Sequence, residues 1–329
     1  MLLLGDSDVR KLLPMKEAIE ADKEAFLLHT RGETEVPVRV GFELPGGAGH
    51  ALFMPAYVKG SLGRVGIKIV SVCPGNPAKG LPSVPAQMLL VDSETGEVCA
   101  MMNGAEITRI RTGAISGAAT DILARADASV AALFGTGGQA GSQLEALLCV
   151  RPLREVRVFD ASPERTETFI ARMSGLAEQY GAKLVRAASP NDAIRGADVI
   201  TTVTTSAEPV FDGSRAEPGT HVNGVGSFTP DKRELDDSLL RRARIFVDSR
   251  EAVLAEAGDF LIPEAAGRFD RNMISGEIGD VIAGKVPDRT HPEQITVMKT
   301  VGFAVLDVVA ADRVYRNALE RGVGERVSV

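Results

Sequence analysis

A glycine-rich turn between an apolar strand and a helix is the feature that most restricts how this chain can fold. Residues 130–134 are apolar, and residues 135–140 follow directly with the sequence Gly-Thr-Gly-Gly-Gln-Ala, which matches the pattern Gly-x-Gly-x-x-Ala. In that pattern Gly135 permits a tight turn, Gly137 lets the backbone approach a pyrophosphate, and Ala140 allows close helix packing. The helix N-terminus then attracts the anion. Taken alone, the same pattern also fits a plain strand–turn–helix connection.

An acidic residue follows where a dinucleotide ribose would be bound. Asp160 ends the next predicted strand, residues 156–160, close to the ~20-residue offset typical of such an acid. Its carboxylate would accept hydrogen bonds from two ribose hydroxyls and repel a 2'-phosphate, which favours NAD(H). Arg165 lies shortly after it and could stack on adenine or reach a phosphate, so NADP(H) use stays open. The alternative role for Asp160 is to cap the following helix.

Short apolar runs alternate with helical stretches from about residue 119 onward, which predicts a parallel sheet covered by helices on both faces. The runs are residues 130–134, 156–159, 199–203, 221–225 and 245–247. In such sheets ligands bind beyond the carboxyl ends of the strands. We therefore predict that Thr201, Val203 and the segment 223–227 contact the nicotinamide ribose and the substrate, although each of them singly also fits a turn.

The N-terminal part of the chain has a different pattern. β-like runs at residues 36–42, 50–58, 66–73, 88–91 and 98–102 are separated by connections that contain glycine and proline. The tail is predicted to be helical over residues 296–319 and to return to this first lobe. We therefore predict an α/β protein with a Rossmann-type, doubly wound domain over residues 120–299 and a discontinuous α+β domain formed by residues 1–119 and 300–329.

Composition excludes several classes of function. No apolar stretch approaches the roughly 20 residues of a membrane span, and the N-terminus lacks the cationic start of a signal peptide, so we expect a cytoplasmic protein without a membrane partner. The net charge is −7 and long basic runs are absent, which argues against nucleic acid. Three dispersed cysteines and four unclustered histidines predict no metal site, and a Gly-x-Ser-x-Gly hydrolase motif is missing.

Two cationic positions of the first lobe are candidates for ligand binding. Lys68 lies in the otherwise apolar run 65–70, where an ammonium that faces solvent is the simplest alternative. Arg111 precedes a helix of small residues predicted over 113–119, and an arginine there can hold a carboxylate through two hydrogen bonds. Spacing alone does not choose between Arg111 and Arg109.

Six ordered segments give the chain a resemblance to a known family. They are residues 38–40 (Val-Arg-Val), 66–70 (Gly-Ile-Lys-Ile-Val), 110–114 (Ile-Arg-Thr-Gly-Ala), the 135–140 loop, 223–226 (Asn-Gly-Val-Gly) and 294–302 (Gln-Ile-Thr-Val-Met-Lys-Thr-Val-Gly). Together they resemble the ornithine cyclodeaminase and mu-crystallin family over nearly the whole chain. The resemblance implies an NAD(P)-dependent enzyme whose first lobe, completed by the C-terminal helix, binds substrate and forms a homodimer through its sheet.

The resemblance also implies roles for individual residues. By position, Arg39, Lys68 and Arg111 bind the substrate carboxylate, and Lys68 donates or relays a proton. The cofactor contacts that it implies are Ser83, Thr112, Gly137, Gly138, Gln139, Asp160, Val225, Gly226, Ser227, Lys232, Thr300 and Gly302. The glycine-loop pattern adds Gly135 to this set.

The family contains cyclodeaminases, alanine dehydrogenases and ketimine reductases. Two departures distinguish this chain from the cyclodeaminases. Cyclodeaminases carry a catalytic aspartate in Gly-Gly-Asp-Cys-Pro, whereas residues 226–230 here read Gly-Ser-Phe-Thr-Pro and place Phe228 at that position. An acid before the Met-Pro of an earlier strand is also absent, since residues 52–55 read Leu-Phe-Met-Pro. Cyclisation of ornithine would then lack a general base, whose contribution is ~10² to 10⁴ in rate.

We therefore expect an oxidoreductase that uses NAD(H) to reduce a small 2-imino acid. The substrate would be a cyclic ketimine such as pyrroline-2-carboxylate or the imine of a 2-keto acid, and the reverse reaction would be amino-acid dehydrogenation. Two alternatives stay open: an ornithine cyclodeaminase, in which Asp231 replaces the missing aspartate, and a non-catalytic NAD(P)H- or ligand-binding protein like a crystallin. Retention of Lys68 and Arg111 argues against the second alternative.

Overall fold

The computed structural model describes residues 1–37, 39–60 and 62–328, so Val38 of the 38–40 segment lies outside the described residues. The strands are β1 (Leu2–Leu4), β2 (Thr34–Glu35), β3 (Val40–Leu44), β4 (Gly49–Val58), β5 (Arg64–Val72), β6 (Ala86–Asp92), β7 (Val98–Asn103), β8 (Val130–Phe134), β9 (Glu155–Phe159), β10 (Lys183–Arg186), β11 (Val199–Thr202), β12 (His221–Gly224), β13 (Ala243–Val247), β14 (Ile274–Glu277), β15 (Ile295–Lys299) and β16 (Glu325–Arg326). The helices are α1 (Asp6–Leu12), α2 (Met15–Thr30), α3 (Gly104–Leu123), α4 (Ala140–Val150), α5 (Pro163–Gln179), α6 (Pro190–Ile194), α7 (Asp237–Arg242), α8 (Arg250–Glu256), α9 (Gly258–Ala265), α10 (Ile278–Ile282) and α11 (Ala304–Arg321).

The chain divides into two compact units. Unit 1 contains Met1–Arg111 together with the chain from Phe303 onward, and unit 2 contains Thr112–Gly302. The sequence placed the boundaries at residues 119 and 300. The first boundary differs because α3 is continuous through it, so no change of pattern marks that position.

Unit 1 is built on one sheet with the strand order β16-β1-β7-β6-β5-β4-β2, and β3 pairs with β4 outside this path. Most neighbouring strands are antiparallel, whereas β1 and β7 are parallel. Helix α11 packs against β4, β5 and α2. Side chains alternate along a strand, and in β5 the residues Gly66, Lys68 and Val70 are buried while Ile67 and Ile69 are partly exposed. Lys68 therefore lies on the buried face.

Unit 2 is a parallel sheet with the strand order β10-β9-β8-β11-β12-β15-β13-β14. Leu133 and Phe134 of β8 are both buried, and they belong to separate hydrophobic clusters. The sheet is therefore covered on both faces, as the continuous apolar runs predicted. The chain proceeds from β8 outward through β9 in one direction and from β11 outward through β12 in the other. The switch point of this doubly wound sheet lies between β8 and β11.

The predicted helix over residues 296–319 is wrong at its start. Residues Ile295–Lys299 form β15, which lies between β12 and β13, and the helix α11 begins at Ala304. The run Ile-Thr-Val-Met is short, rich in β-branched residues and completely buried, and periodicity alone does not distinguish such a strand from a buried helix.

Two further boundaries also differ from the predictions. The helix predicted over 113–119 begins at Gly104, so Arg109 and Arg111 lie inside α3 rather than ahead of it. The strand predicted over 36–42 is instead divided between β2 and β3. Pro37 lies between them and lacks the backbone N–H that a continuous strand would use. The sequence also gave no signal for the short strands β1, β10, β14 and β16.

Candidate functional site

Two cations share one carboxylate in the interior of unit 1. Nζ of Lys68 lies 2.7 Å from Oδ2 of Asp307, and Nε of Arg111 donates to Oδ1 of Asp307 at 2.9 Å. Lys68 is 2 % exposed, Arg111 6 % and Asp307 0 %. The simpler alternative of a solvent-facing Lys68 is therefore wrong. Asp307 lies in the first turn of α11, where the helix dipole favours a negative charge.

The two arginines that spacing left open have different surroundings. Arg109 is partly exposed, and its Nε donates to Oε2 of Glu106 at 2.9 Å. Glu106 also accepts a hydrogen bond from Arg10. Arg111 instead points to the buried cluster and uses only Nε to bind Asp307; none of the described residues accepts a hydrogen bond from its two Nη atoms. That pair of donors matches the spacing of a carboxylate.

The charge state of Lys68 is sensitive to its surroundings. Burial lowers the pKa of the Lys68 ammonium to about 8; Asp307 opposes this change, and the positive charges of Arg111 and Arg39 reinforce it. Burial also works against the ionised form of Asp307, but Arg111 and Lys68 outweigh it and hold the pKa of this carboxyl below its usual range. A lysine that titrates near neutral pH is suited to give up and regain a proton.

A second carboxyl group completes the cluster in unit 1. Asp22 on α2 is fully buried, and neither of its side-chain oxygens has a hydrogen-bond partner among the described residues. Burial raises the pKa of Asp22 well above its usual range, Arg111 opposes this shift and Asp307 adds to it. Sequence reasoning missed both acids. The available signal was an aspartate within an otherwise apolar helical segment, as at Asp307 between Leu306 and Val308.

The glycine loop of unit 2 has the geometry that its pattern predicts. Gly135 has a φ of 97°, and a Cβ added there would lie 2.7 Å from the carbonyl oxygen of Val203. Gly137 and Gly138 border open space instead, since an added Cβ would meet no atom within 4 Å. Gln139 occupies the N-cap position of α4 without a side-chain capping bond, and its Oε1 is buried without a partner among the described residues. The loop can therefore accept a closely approaching anion at the start of α4.

Asp160 connects this loop to the next one. Its Oδ2 accepts hydrogen bonds from the backbone N of Thr136 at 3.0 Å and from Thr136 Oγ1 at 2.8 Å, and its Oδ1 accepts from Ser162 N at 3.0 Å. Burial opposes ionisation, but these bonds and Arg165 keep the pKa of Asp160 below its usual range. Ser162 caps α5, so the helix-cap alternative for Asp160 is wrong. Arg165 is largely exposed, with Nη2 3.9 Å from Oδ2.

The other predicted cofactor positions of unit 2 differ in exposure. Thr201 is completely buried, and its hydroxyl accepts a hydrogen bond from Asn223 at 3.3 Å. Val203 and Gly226 are partly exposed beyond the strand ends. The Ser227 hydroxyl is buried and donates to the carbonyl of Lys232 at 2.5 Å. Val225 is also buried and hydrogen-bonds through its backbone N to the carbonyl of Thr202.

A buried aspartate that sequence reasoning missed fixes the predicted segment 300–302. Asp248 Oδ2 accepts hydrogen bonds from Thr300 Oγ1 at 2.5 Å and from Gly302 N at 2.7 Å. The carbonyl of Thr112 accepts a hydrogen bond from Gln143 at 3.0 Å. Of the predicted cofactor contacts, Ser83 belongs to unit 1, where it is exposed in the loop before β6.

The segment that distinguishes cyclodeaminases is a surface loop. Phe228 is 47 % exposed. Asp231 is also exposed and accepts a hydrogen bond from the Thr229 hydroxyl at 2.7 Å. Across residues 1–37, 39–60 and 62–328, no cluster of histidine, cysteine, aspartate and glutamate could hold a metal ion. Within the same ranges, the structure contains no helix with the length and apolarity needed to cross a membrane.

Comparison with known proteins extends over the whole chain. A Delta(1)-pyrroline-2-carboxylate reductase of Bacillus cereus is 37% identical over 328 residues, which is 99% of each chain. The solved structure of Thermococcus litoralis Delta(1)-pyrroline-2-carboxylate reductase in complex with NADH and L-proline has a TM-score of 0.94 and 40% identity, and covers 99% of this chain and 100% of its own. An archaeal alanine dehydrogenase dimer with bound NAD has a TM-score of 0.92 and 36% identity, and covers 100% and 99%.

A family model that describes such proteins also matches this chain. The model described as Ornithine cyclodeaminase/mu-crystallin family matches residues 1–322. That range includes all of unit 2 and most of unit 1, with the buried Lys68–Asp307–Arg111 cluster and the glycine loop. The chain belongs to the ornithine cyclodeaminase/mu-crystallin family.

Proposed function

We propose that this protein is an NAD(H)-dependent reductase of small 2-imino acids, with a cyclic ketimine such as pyrroline-2-carboxylate as the preferred substrate class. The observation that carries the proposal is the buried cluster in which Asp307 holds both Lys68 and Arg111. The pyrroline-2-carboxylate reductases of Bacillus cereus and Thermococcus litoralis support the substrate class, and the NADH of the latter supports the cofactor. The reverse reaction would be amino-acid oxidation, as the name of the alanine dehydrogenase neighbour indicates.

The side chains of unit 1 suit the two tasks that the protein must perform. Arg111 offers its two Nη atoms to the substrate carboxylate, and Arg39 adds a second positive charge near Lys68. NADH, when bound, supplies the hydride that adds to C2 of the imine. Lys68 Nζ donates a proton to the imine nitrogen, so the C=N bond becomes a C–N bond with one hydrogen on each atom. The neutral amine of Lys68 then regains its proton from solvent.

The cofactor assignment depends on the loops of unit 2. Gly135 and Gly137 leave the space for a pyrophosphate at the start of α4, and Gln139 has a buried acceptor without a partner among the described residues. Asp160 carries a negative charge beside this loop, which favours a free ribose 2'-hydroxyl over a 2'-phosphate. We infer that NAD(H) is preferred and that the exposed Arg165 is what would permit NADP(H).

The cyclodeaminase and crystallin alternatives have less support. The first lacks its base, because Phe228 occupies the position of the catalytic aspartate and the Asp231 carboxylate is hydrogen-bonded to Thr229 on the surface. A non-catalytic, crystallin-like protein would not need a buried lysine beside Arg111. Burying such a charge is costly unless it is used or fully paired.

The free face of the unit 1 sheet supports a homodimer. Pro55, Ile67, Leu89 and Met101 are paired in one row across β4, β5, β6 and β7, and all four are only partly buried. A contiguous apolar face of this kind typically marks an interface, and the alanine dehydrogenase neighbour is a dimer. We infer that two copies pack through this face. A Leu89→Arg variant should sediment as a monomer, and a wild-type protein that is itself monomeric would exclude the dimer. We also infer a cytoplasmic location, because the three cysteines are present as thiols, which is typical of proteins from a reducing compartment.

The decisive experiment is the loss of NADH absorbance with a panel of substrates. The panel contains pyrroline-2-carboxylate, piperideine-2-carboxylate, and pyruvate with ammonia or methylamine, and ornithine with NAD is the cyclodeaminase control. Arg111→Lys should lower kcat/KM with the preferred imine on the order of 10²-fold, because a lysine cannot replace paired donors. Arg109→Lys is the matched control and should leave kcat/KM nearly unchanged. Formation of proline from ornithine, with no imine reduced, would overturn the proposal.

A further inference from the structure

A buried glutamate gathers four hydrogen-bond donors at the carboxyl ends of β11 and β12. Glu234 Oε1 accepts from Thr204 N at 2.6 Å and from Thr204 Oγ1 at 2.8 Å. Its Oε2 accepts from Gly226 N at 2.6 Å and from Thr202 Oγ1 at 3.0 Å. Glu234 is completely buried. One side chain therefore fixes the backbone that follows two neighbouring strands.

A second layer of charge holds Glu234 in place. Asp259 Oδ1 accepts hydrogen bonds from the backbone N of Glu234 at 2.7 Å and of Leu235 at 2.8 Å, and Lys299 Nζ lies 2.8 Å from Asp259 Oδ2. Asp259 and Lys299 are completely buried too. Burial raises the pKa of Glu234, and Lys299 together with the hydrogen bonds from Thr204 opposes that rise. Charged groups are costly to bury, and these carboxylates offset that cost by accepting hydrogen bonds from donors that an apolar residue would leave unpaired.

The segments that Glu234 fixes lie against the glycine loop. A Cβ on Gly226 would lie 2.1 Å from the carbonyl oxygen of Thr204, and a Cβ on Gly135 would lie 2.7 Å from that of Val203. Thr204 and Gly226 are partly exposed, whereas Glu234 behind them is not. Thr204 follows β11 beside the switch point of the sheet, where a dinucleotide crosses the strand ends, and Gly226 follows the neighbouring strand β12. The Gly135 turn fits the pyrophosphate, so Thr204 and Gly226 are on the side of β11 and β12 that remains for the nicotinamide half.

We propose that Glu234 is a positioning residue that sets the backbone of Thr204 and Gly226 against the nicotinamide half of NAD(H). The inference rests on the cofactor assignment of the proposed function. Glu234 acts through these two residues and does not itself touch the cofactor. A glutamine cannot replace it, because one of its two terminal groups is a donor and would face donors at Thr204 or Gly226.

The test compares two ligands that differ in the nicotinamide half. Dissociation constants for NADH and for ADP, which lacks both the nicotinamide ring and its ribose, are measured by calorimetry on the wild type and on Glu234→Gln. We expect the Kd for NADH to rise by about tenfold to hundredfold, because a buried donor is left unpaired. The Kd for ADP should change by less than about twofold, since its contacts lie at the Gly135 loop.

A matched control comes from the opposite edge of the same sheet. Asp198 is a partly buried carboxylate that accepts hydrogen bonds from Ser129 N at 2.8 Å and Val130 N at 3.0 Å, before β8 rather than after it. Asp198→Asn should lower the midpoint of thermal unfolding without changing the ratio of the two dissociation constants. If Glu234→Gln fails to fold, Thr202→Val removes one of the four donors while keeping the side-chain shape. The Kd for NADH divided by the Kd for ADP should then rise about two- to fivefold.

Three results would overturn the inference. Equal weakening of NADH and ADP binding would show that Glu234 serves the fold of the whole cofactor domain. Unchanged binding of both ligands in folded Glu234→Gln, or in Thr202→Val, would show that the strand ends keep their geometry without it. Failure of the wild type to bind NADH would remove the cofactor assignment and this inference together, which distinguishes it from the first two results.

Discussion

Replacing Asp307 with asparagine should shift the pH dependence of the reaction, because Asp307 is the only anion bonded to both Lys68 and Arg111 among the described residues. The substitution preserves size but leaves two buried cations side by side. Loss of one partner from a buried ion pair costs about 3–5 kcal/mol. Lys68 escapes this cost by releasing its proton, and at 1.36 kcal/mol per pH unit a cost of about 3 kcal/mol lowers its pKa by about two units.

The magnitude follows from the wild-type pKa of about 8 for Lys68. The alkaline limb of kcat/KM for imine reduction should have its midpoint near that value in the wild type, since the protonated amine is the proton donor. In Asp307→Asn the midpoint should move down by about two pH units, so the protonated fraction at pH 7.5 falls roughly 25-fold. Lowering the pH should restore part of the lost activity, which a misfolded variant would not show.

Asp312 provides the control on the same helix. It is buried farther along α11, and its Oδ1 accepts a hydrogen bond from Arg64 Nε at 2.9 Å. Asp312→Asn also removes a buried anion from α11 but not from the Lys68 pair, so the midpoint should stay at the wild-type value. An unchanged midpoint in Asp307→Asn, or an equal shift in both variants, would refute the role assigned to Asp307. The assay is the initial rate of NADH oxidation between pH 5.5 and 9.5 at about ten buffer points, a design chosen to bracket both midpoints.

Three further predictions concern single residues. Asp160→Asn should raise kcat/KM with NADPH relative to NADH by about tenfold, because repulsion of the 2'-phosphate is removed; an unchanged ratio of the two values would contradict this. Gly226→Ala should lower stability by about 1–3 kcal/mol in urea unfolding, since its Cβ would lie 2.1 Å from the Thr204 carbonyl oxygen, whereas Gly137→Ala, which borders open space, should not. Lys68 has a folded-state pKa of about 8 against an ordinary 10.5, so the unfolded chain binds more protons between these values and the wild type gains stability as pH rises through them, by about 3 kcal/mol. Lys68→Met should lack that rise, and parallel stability curves for the two proteins would exclude a lowered pKa for Lys68.

Local sequence determined most of the sheet of unit 2. The predicted runs 130–134, 156–159, 199–203 and 221–225 became β8, β9, β11 and β12. β11 and β12 are buried at every position and β8 at all but its first, as strands covered on both faces require, whereas burial alternates along β9. The glycine loop was readable because Gly135 needs a positive φ and a close approach to Val203, which the residue type itself reveals. β15 was not readable, because a buried run of five residues satisfies helix and strand patterns equally until its neighbours β12 and β13 are known.

The sequence by itself therefore indicated the fold class, the glycine-rich loop and, through six ordered segments, the resemblance to the family, since each of these depends on residue types at given positions along the chain. Only the tertiary structure decided which charges act together. Lys68 and Asp307 are 239 positions apart, and Glu234 accepts a hydrogen bond from Thr202, which lies 32 positions earlier. The sequence left Arg111 and Arg109 equivalent, and the choice came from Asp307 at one arginine and Glu106 at the other. Burial and pairing between distant segments set the charge and the pKa of each group, and no local pattern encodes those distances.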